Sequence, residues 1–336
     1  METWDILRNV WFLLIGVLFA GYSVLDGFDL GIGVLFPFLA KSEDEKRTLI
    51  RAIGPVWDGN EVWLLTGGGA LFAAFPPAYA TVFSGFYLAL MLVLFALILR
   101  AVSLEFRAHD PARKGLWEAA FVAGSFLPAL LFGVALGNVV VGIPLDARTE
   151  YAGNFFTLLR PLPLVFGVLG LCAFLLHGSS YAALKTEGAL QARARKAVKV
   201  LVAATSAAFL LSYLAIWIYM PGAAKRIPAW VFAVIVWISL GSLMRSGKKA
   251  NDKRTLLLSS STFLGLWGVV GAIHYPNLVR ATDPSLSLTI ANSSSSALTL
   301  KVMLIIALVG MPLVVGYTIF AYRVFKGKAD AGGEAY

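Results

Sequence analysis

Four acids sit where acids are least expected: Asp26 and Asp29 in one apolar run, and Asp58 and Glu61 in the next. Within each pair the spacing is i, i+3, which puts both carboxyls on one side of a helix. If these runs cross a bilayer, each ionised carboxylate near a span centre costs roughly 2.5–3.5 kcal/mol on insertion scales. Such groups must be buried with partners, hydrated or protonated, and they are not expected to face lipid. The chemistry open to them is the taking up and passing on of protons. At about 1.5 Å per helical residue, Asp29 lies about 15 Å from Lys41 and Asp58 about 10 Å from Arg51. Both pairs therefore fall in the same half of the layer, which predicts a hydrated, proton-exchanging pocket open to the side carrying those bases. The competing reading is a purely structural one, in which the carboxylates cap or pair inside the bundle, for example by accepting from Trp57, Asn60 or Trp63. Gly27, Gly31 and Gly59, next to the acids, permit close backbone approach and suit either reading.

The remaining chemistry-bearing residues are few. His109 lies in a gap between apolar runs, and His177 and His274 lie near the ends of two different runs. Histidines within spans can ligate haem. These two are expected at opposite faces, which argues against one bis-histidine site, and a hydrogen-bonded histidine is the commoner role. No CxxC, HExxH or haem-attachment pattern occurs, so no cofactor or metal of the chain's own is expected. The single cysteine, Cys172, rules out an internal disulfide and reads as a packing residue. Nine tryptophans lie mostly at run ends, as interfacial anchors do, with Trp57 and Trp63 the exceptions beside the acids.

The elements that must position these residues follow from composition. The chain has 336 residues, 59% hydrophobic and 14% charged, with a mean hydropathy of +0.78; soluble domains average about 45–50% apolar and 25% charged. Apolar runs near 11–39, 52–75, 82–104, 116–141, 162–183, 198–220, 227–243, 256–275 and 298–324 are each long enough to span as helices. The first is too long for a signal-peptide core and is read as a retained span. The expected fold is an all-α polytopic membrane protein of about nine transmembrane helices. The whole chain, 1–336, forms one membrane domain, with sub-bundles 1–145 and 155–280 of four helices each and a final helix at 297–325.

The net charge of +9 would point to nucleic acid in a soluble protein, but here the bases sit in short gaps, where they orient helices. One side takes Lys41, Lys46, Arg47 and Arg51, then Arg100, Arg107, Arg113 and Lys114, then Lys185, Arg193, Arg195, Lys196 and Lys199. Arg245, Lys248, Lys249, Lys253 and Arg254 follow, and Arg323, Lys326 and Lys328 close the set. The other side takes only Arg8, Arg148, Arg160, Lys225, Arg226 and Arg280. The base-rich side is the cytoplasm, so the amino terminus is expected outside and the carboxyl terminus inside.

The segment Leu25-Asp26-Gly27-Phe28-Asp29-Leu30-Gly31, followed by Pro55-Val56-Trp57-Asp58-Gly59-Asn60-Glu61-Val62-Trp63, resembles the second subunit of cytochrome bd-type quinol oxidases, the cyanide-insensitive branch included. The resemblance extends to Gly67-Gly68-Gly69, Phe75-Pro76, Arg100, Glu105-Phe106-Arg107, His177-Gly178, Lys185-Thr186-Glu187-Gly188 and Pro276-Asn277. It implies a nine-span subunit of an oxidase that reduces oxygen to water with electrons from quinol, in a bacterial cytoplasmic membrane. It further implies a heterodimer with a haem-bearing first subunit that holds two b-type haems and one haem d, contact with lipid, and a bound quinone to which no residue here is assigned; it leaves open whether small single-span accessory subunits join the complex. Isolated, the chain is expected to be inactive. Carried onto this sequence, Asp58 matches the proton-path acid; Asp29 is the next candidate, followed by Asp26 and Glu61. A proton-coupled transporter and a pure scaffold are the rival readings from other classes.

Overall fold

The computed structural model describes residues 3–245 and 251–329; Lys248 and Lys249 of the expected basic gap lie outside them. Thirteen helices follow one another along the described chain: α1 Thr3–Leu25, α2 Gly27–Leu39, α3 Glu43–Ile53, α4 Trp57–Ala74, α5 Pro76–Gly85, α6 Tyr87–His109, α7 Lys114–Val141, α8 Pro161–Lys185, α9 Gly188–Tyr219, α10 Pro221–Ala224, α11 Ile227–Arg245, α12 Asp252–His274 and α13 Ala297–Val324. A two-stranded antiparallel hairpin, β1 Asn277–Val279 with β2 Leu288–Thr289, precedes α13.

Eight helical segments are long and apolar enough to cross a membrane: Thr3–Leu39, which is α1 and α2 together, and those containing α6, α7, α8, α9, α11, α12 and α13. The difference from the expected nine is α4. Its 18 residues would reach about 27 Å, but Asp58, Asn60 and Glu61 in its first turns depress its hydropathy. It runs antiparallel to α1: Asn60 reaches Leu25, the Trp63 ring lies over Gly21, and the Phe19 ring lies against Gly67. The expected run at 52–75 is broken by a turn at Gly54–Val56, and the residues before it belong to α3, a separate amphipathic helix. The estimate of depth for Asp58, which assumed one continuous helix from Arg51, does not apply. Pro76-Pro77 opens the short helix α5, since proline at a first helical position costs no backbone hydrogen bond.

Close helix contact is set by glycine. A Cβ on Gly31 of α2 would lie 2.0 Å from the Phe174 carbonyl oxygen of α8, and one on Gly178 would lie 2.5 Å from the Gly31 carbonyl carbon. Only hydrogen fits at either position, so backbone rests on backbone where α2 meets α8. The same site places His177, whose Nδ1 lies 2.7 Å from Ser259 Oγ of α12 and whose Nε2 lies 2.8 Å from the Val24 carbonyl of α1.

At one end of the bundle, residues 142–160 and the hairpin cover the helix ends. Ile143 N–H donates to the Arg280 carbonyl, and Trp11, Phe75, Phe86, Ile143, Val279 and Leu288 share one buried cluster there. The polar stretch 276–296 is therefore an ordered cap. A cavity of about 800 Å³ opens at this end, walled by Thr81, Ser84, Leu88, Arg148 and Tyr151, far along the helices from the acids.

The opposite, base-rich end is tied by ion pairs. Ser42 and Glu45 form a reciprocal cap on α3. Glu43 pairs with Lys114 (3.1 Å) and Arg107 (3.0 Å), and Glu118 with Lys46 (2.6 Å) and Arg107 (2.7 Å). Arg193 pairs with Glu45, and Arg195 with Asp252. Burial pushes the Glu43 carboxyl up, but Lys114 and Arg107 outweigh it and hold the group below the usual carboxylate range. A depressed folded-state pKa contributes stability that is present above the unfolded value, about 4.3, and is lost as pH falls through the folded one. Glu43→Gln is thus expected to lower the thermal midpoint of the purified protein at pH 7 and to lower it less near pH 3. An equal loss at both pH values would show that the pairing does not contribute.

Candidate functional site

The chain is nearly continuous through Asp26, whose N–H donates to the Tyr22 carbonyl and whose own carbonyl accepts from Leu30 N–H. This local geometry turns the Asp26 side chain inward at the junction of α1 and α2. There it meets Arg100 of α6: Arg100 Nη2 lies 2.6 Å from Asp26 Oδ1, and Nη1 lies 2.9 Å from Oδ2. Both side chains are fully buried. Arg100 Nη1 also reaches Glu61 Oε1 of α4 at 3.2 Å, and the Glu61 side chain keeps 24% exposure. One guanidinium thus bridges the two helices that carry the expected acids. A bidentate, planar contact of this kind suits arginine and not lysine.

Asp29, one turn further along α2, is also fully buried. Asn60 Nδ2 donates to Asp29 Oδ2 (2.7 Å) and to the Leu25 carbonyl (3.0 Å). The Asn60 carbonyl oxygen in turn accepts from the Tyr322 hydroxyl of α13 at 3.0 Å. Asp29 Oδ1, the Tyr22 hydroxyl and Arg100 Nε are buried with no hydrogen-bond partner among the described residues. Three carboxyls and one guanidinium make an acid-rich set, so charge balance inside a protein requires protons or further polar contacts.

Asp58 stands apart. It is exposed, next to exposed Gly59, on a face of α4 that continues through Val62, Leu65 and Phe72. The four acids are therefore graded: Asp58 open, Glu61 partly covered, Asp26 and Asp29 enclosed. Asp58 and Glu61, expected to share surroundings, do not. Nor does the described structure open from Asp29 toward the base-rich end, because Leu35, Phe36, Leu39, Ile53, Val56 and Leu104 fill that end as a buried apolar cluster. The open approach is sideways, from the α4 face. Gly27 and Gly31 do serve close approach, whereas a Cβ on Gly59 would meet nothing within 4 Å.

Of the partners suggested by sequence, Asn60 reaches an acid. Trp63 packs on Gly21, and Trp57 lies against the apolar cluster at the base-rich end. Sequence reasoning missed Arg100 and Tyr322. Arg100 counts by sequence among the bases of one side, although it falls inside the run 82–104, and α6 carries it buried into the bundle. Three acids near one base at similar depth is the signal that would have found it. Both His177 ring nitrogens are engaged as described above, and His274 Nε2 lies 3.0 Å from the Leu278 carbonyl. Among the described residues no three histidines, cysteines or acids are grouped to hold a metal ion.

This bundle, with charged groups inside its membrane layer, defines a multi-pass membrane protein. Residues 7–325 match the family described as cytochrome bd terminal oxidase subunit II. The chain is 37% identical to the probable cytochrome oxidase subunit 2 of Haemophilus influenzae, over 98% of this chain and 97% of that protein. It is 34% identical to the cytochrome bd-I ubiquinol oxidase subunit 2 of Escherichia coli K12 (98% and 96%) and 36% identical to the cytochrome bd ubiquinol oxidase subunit 2 of Bacillus subtilis (96% and 97%). In fold it resembles a chain of the bd oxidase from Geobacillus thermodenitrificans, with a TM-score of 0.75 at 16% identity over 95% of this chain and 98% of that one. The chain belongs to the cytochrome bd oxidase subunit II family, and it is therefore a subunit of an oxidoreductase complex. The transporter reading is not favoured.

Proposed function

We propose that this chain serves as the second subunit of a respiratory quinol:oxygen oxidoreductase in a bacterial cytoplasmic membrane, with its base-rich end in the cytoplasm. It packs against a haem-bearing first subunit, supports it, and supplies the proton path that serves reduction of oxygen to water. The haems belong to the partner, and in this chain both His177 ring nitrogens are already engaged by Ser259 and Val24. Asp58 is the entry acid, Glu61 follows, and Asp26 and Asp29 lie deepest. The observation that carries this reading is the gradient of exposure across the four acids, ending at Asp58 on an otherwise apolar helix face. A carboxyl on such a face is costly in lipid, so the face is read as one covered by the partner subunit.

The test replaces Asp58 by Asn in the chain co-expressed with its partner, then measures the haem spectrum and quinol-driven oxygen uptake of the purified complex. Normal haem with turnover reduced about tenfold or more is expected, since about 1.4 kcal/mol added to a rate-limiting proton transfer has that effect. Normal haem with normal turnover would remove Asp58 from the path. Loss of haem would assign it to assembly instead.

A further inference from the structure

α13 packs differently from the other long helices. Within α13, only Leu300 is buried, and its most apolar window is 6% buried, against 28–56% for the other candidate spans. Polar ties at its two ends attach it to the bundle. At the outer end, the Trp11 indole N–H donates to the Leu300 carbonyl (2.9 Å), and Ser295, just before the helix, donates to Ala73 and Ala74 carbonyls. At the base-rich end, Lys185 Nζ donates to the Phe325 carbonyl at 2.6 Å and to that of Gly327 at 3.2 Å. Lys328 Nζ donates to the Thr186 carbonyl (2.9 Å), and Ala329 N–H to the Lys185 carbonyl (2.8 Å). Residues 325–329 thus form a strap over the turn between α8 and α9. One helical turn before that strap, Tyr322 donates into the acid site.

We propose that Tyr322 is a positioning residue for Asp29, acting through Asn60, and that the 325–329 strap holds it in place. This rests on the proton-path reading. The Asn60 amide has two ends, and only one arrangement satisfies its surroundings. Its NH₂ group serves two acceptors, Leu25 O and Asp29 Oδ2, while its carbonyl oxygen needs a donor. Tyr322 is that donor. With the amide so fixed, Asn60 holds Asp29 by one carboxylate oxygen and leaves Oδ1 as the atom at which a proton is gained or lost. Without the hydroxyl, a buried carbonyl oxygen loses its partner, and the amide gains freedom to turn away from Asp29. Tyr322 touches no reacting group itself; its ring also packs edge-on to Phe28, and a phenylalanine preserves that contact.

The experiment compares Tyr322→Phe, Asp29→Asn and a Lys185→Met/Lys328→Met double variant in the intact complex, reading haem content and oxygen uptake across pH. Tyr322→Phe is expected to keep full haem, to lose about fivefold in turnover, the worth of roughly one hydrogen bond, and to show a displaced pH profile. The strap variant is expected to move the profile in the same direction by less. A native rate and native pH profile in Tyr322→Phe, with Asp29→Asn impaired, would overturn the inference and leave the proton path standing. A slower Tyr322→Phe with an unmoved pH profile would also overturn it, since that marks loss of packing alone. Native turnover in Asp29→Asn would instead remove Asp29 from the path, and the role of Tyr322 with it.

Discussion

Arg100→Met is expected to abolish assembly of the haem-containing complex. The side chain is fully buried and serves both Asp26 and Glu61. Removing one partner of a buried ion pair leaves an uncompensated charge and costs about 3–5 kcal/mol, a large part of the roughly 5–15 kcal/mol by which folded proteins are stable. Here two carboxyls lose their shared guanidinium at once. Arg100→Lys is expected to recover assembly only partly, because a single ammonium cannot reproduce the two parallel contacts with Asp26. Replacing both sides, Arg100→Met with Asp26→Leu, is expected to restore more complex than Arg100→Met alone, as removal of a whole buried pair is better tolerated than removal of half. The measurement is haem spectra of membranes and of affinity-purified complex. Full yield from Arg100→Met would show that the bridge does not hold α2, α4 and α6 together.

Gly31→Val has the second largest expected effect, and it acts through shape instead of charge. A Cβ at Gly31 meets the Phe174 carbonyl oxygen at 2.0 Å and Gly178 Cα at 2.9 Å. Both are backbone atoms in the interior of α8, so no side-chain rotation relieves the clash, and α2 must move away from α8 as a body. Overpacking of well-filled interiors costs typically about 1–3 kcal/mol even where side chains can adjust. Moving α2 also disturbs Asp26, Asp29 and the His177 contact to Val24. Loss of complex, or a thermal midpoint lowered by several degrees with Gly31→Ala as the milder form, is the expected result. A native midpoint for Gly31→Ala would refute the close approach of α2 and α8.

Much of this was legible beforehand, for physical reasons that also mark where legibility ended. Long apolar runs announce helices because lipid forces the backbone to satisfy itself locally, and the eight spans by length and composition lie where those runs do. Acids inside such runs stand out because they are expensive. The family motifs were readable from the same residues and agree with the match over residues 7–325. The partner of the acids was not, because a base near a run end looks the same whether it faces water or a carboxylate. Arg100 lies inside the run 82–104 yet counts by sequence among the bases of one side, and it becomes a site residue through its contacts to Asp26 and Glu61. Tyr322 gave no local signal at all: it contacts Asn60 across 262 positions of sequence. The small helices α3 and α5 were hidden in stretches read as gaps and run edges, where charge or proline masked their periodicity.

The contact between Tyr322 and Asn60 has a consequence for biosynthesis. Asp26, Asp29, Asp58, Glu61 and Arg100 all leave the ribosome within the first 100 residues, long before α13, the last described helix to be made. During insertion the early helices can bring the acids and their arginine together while the Asn60 carbonyl still lacks its donor. The site is completed only when translation has run through α13 and the strap that follows it. A chain cut short before Tyr322 would keep all four acids yet leave the Asn60 carbonyl without this donor.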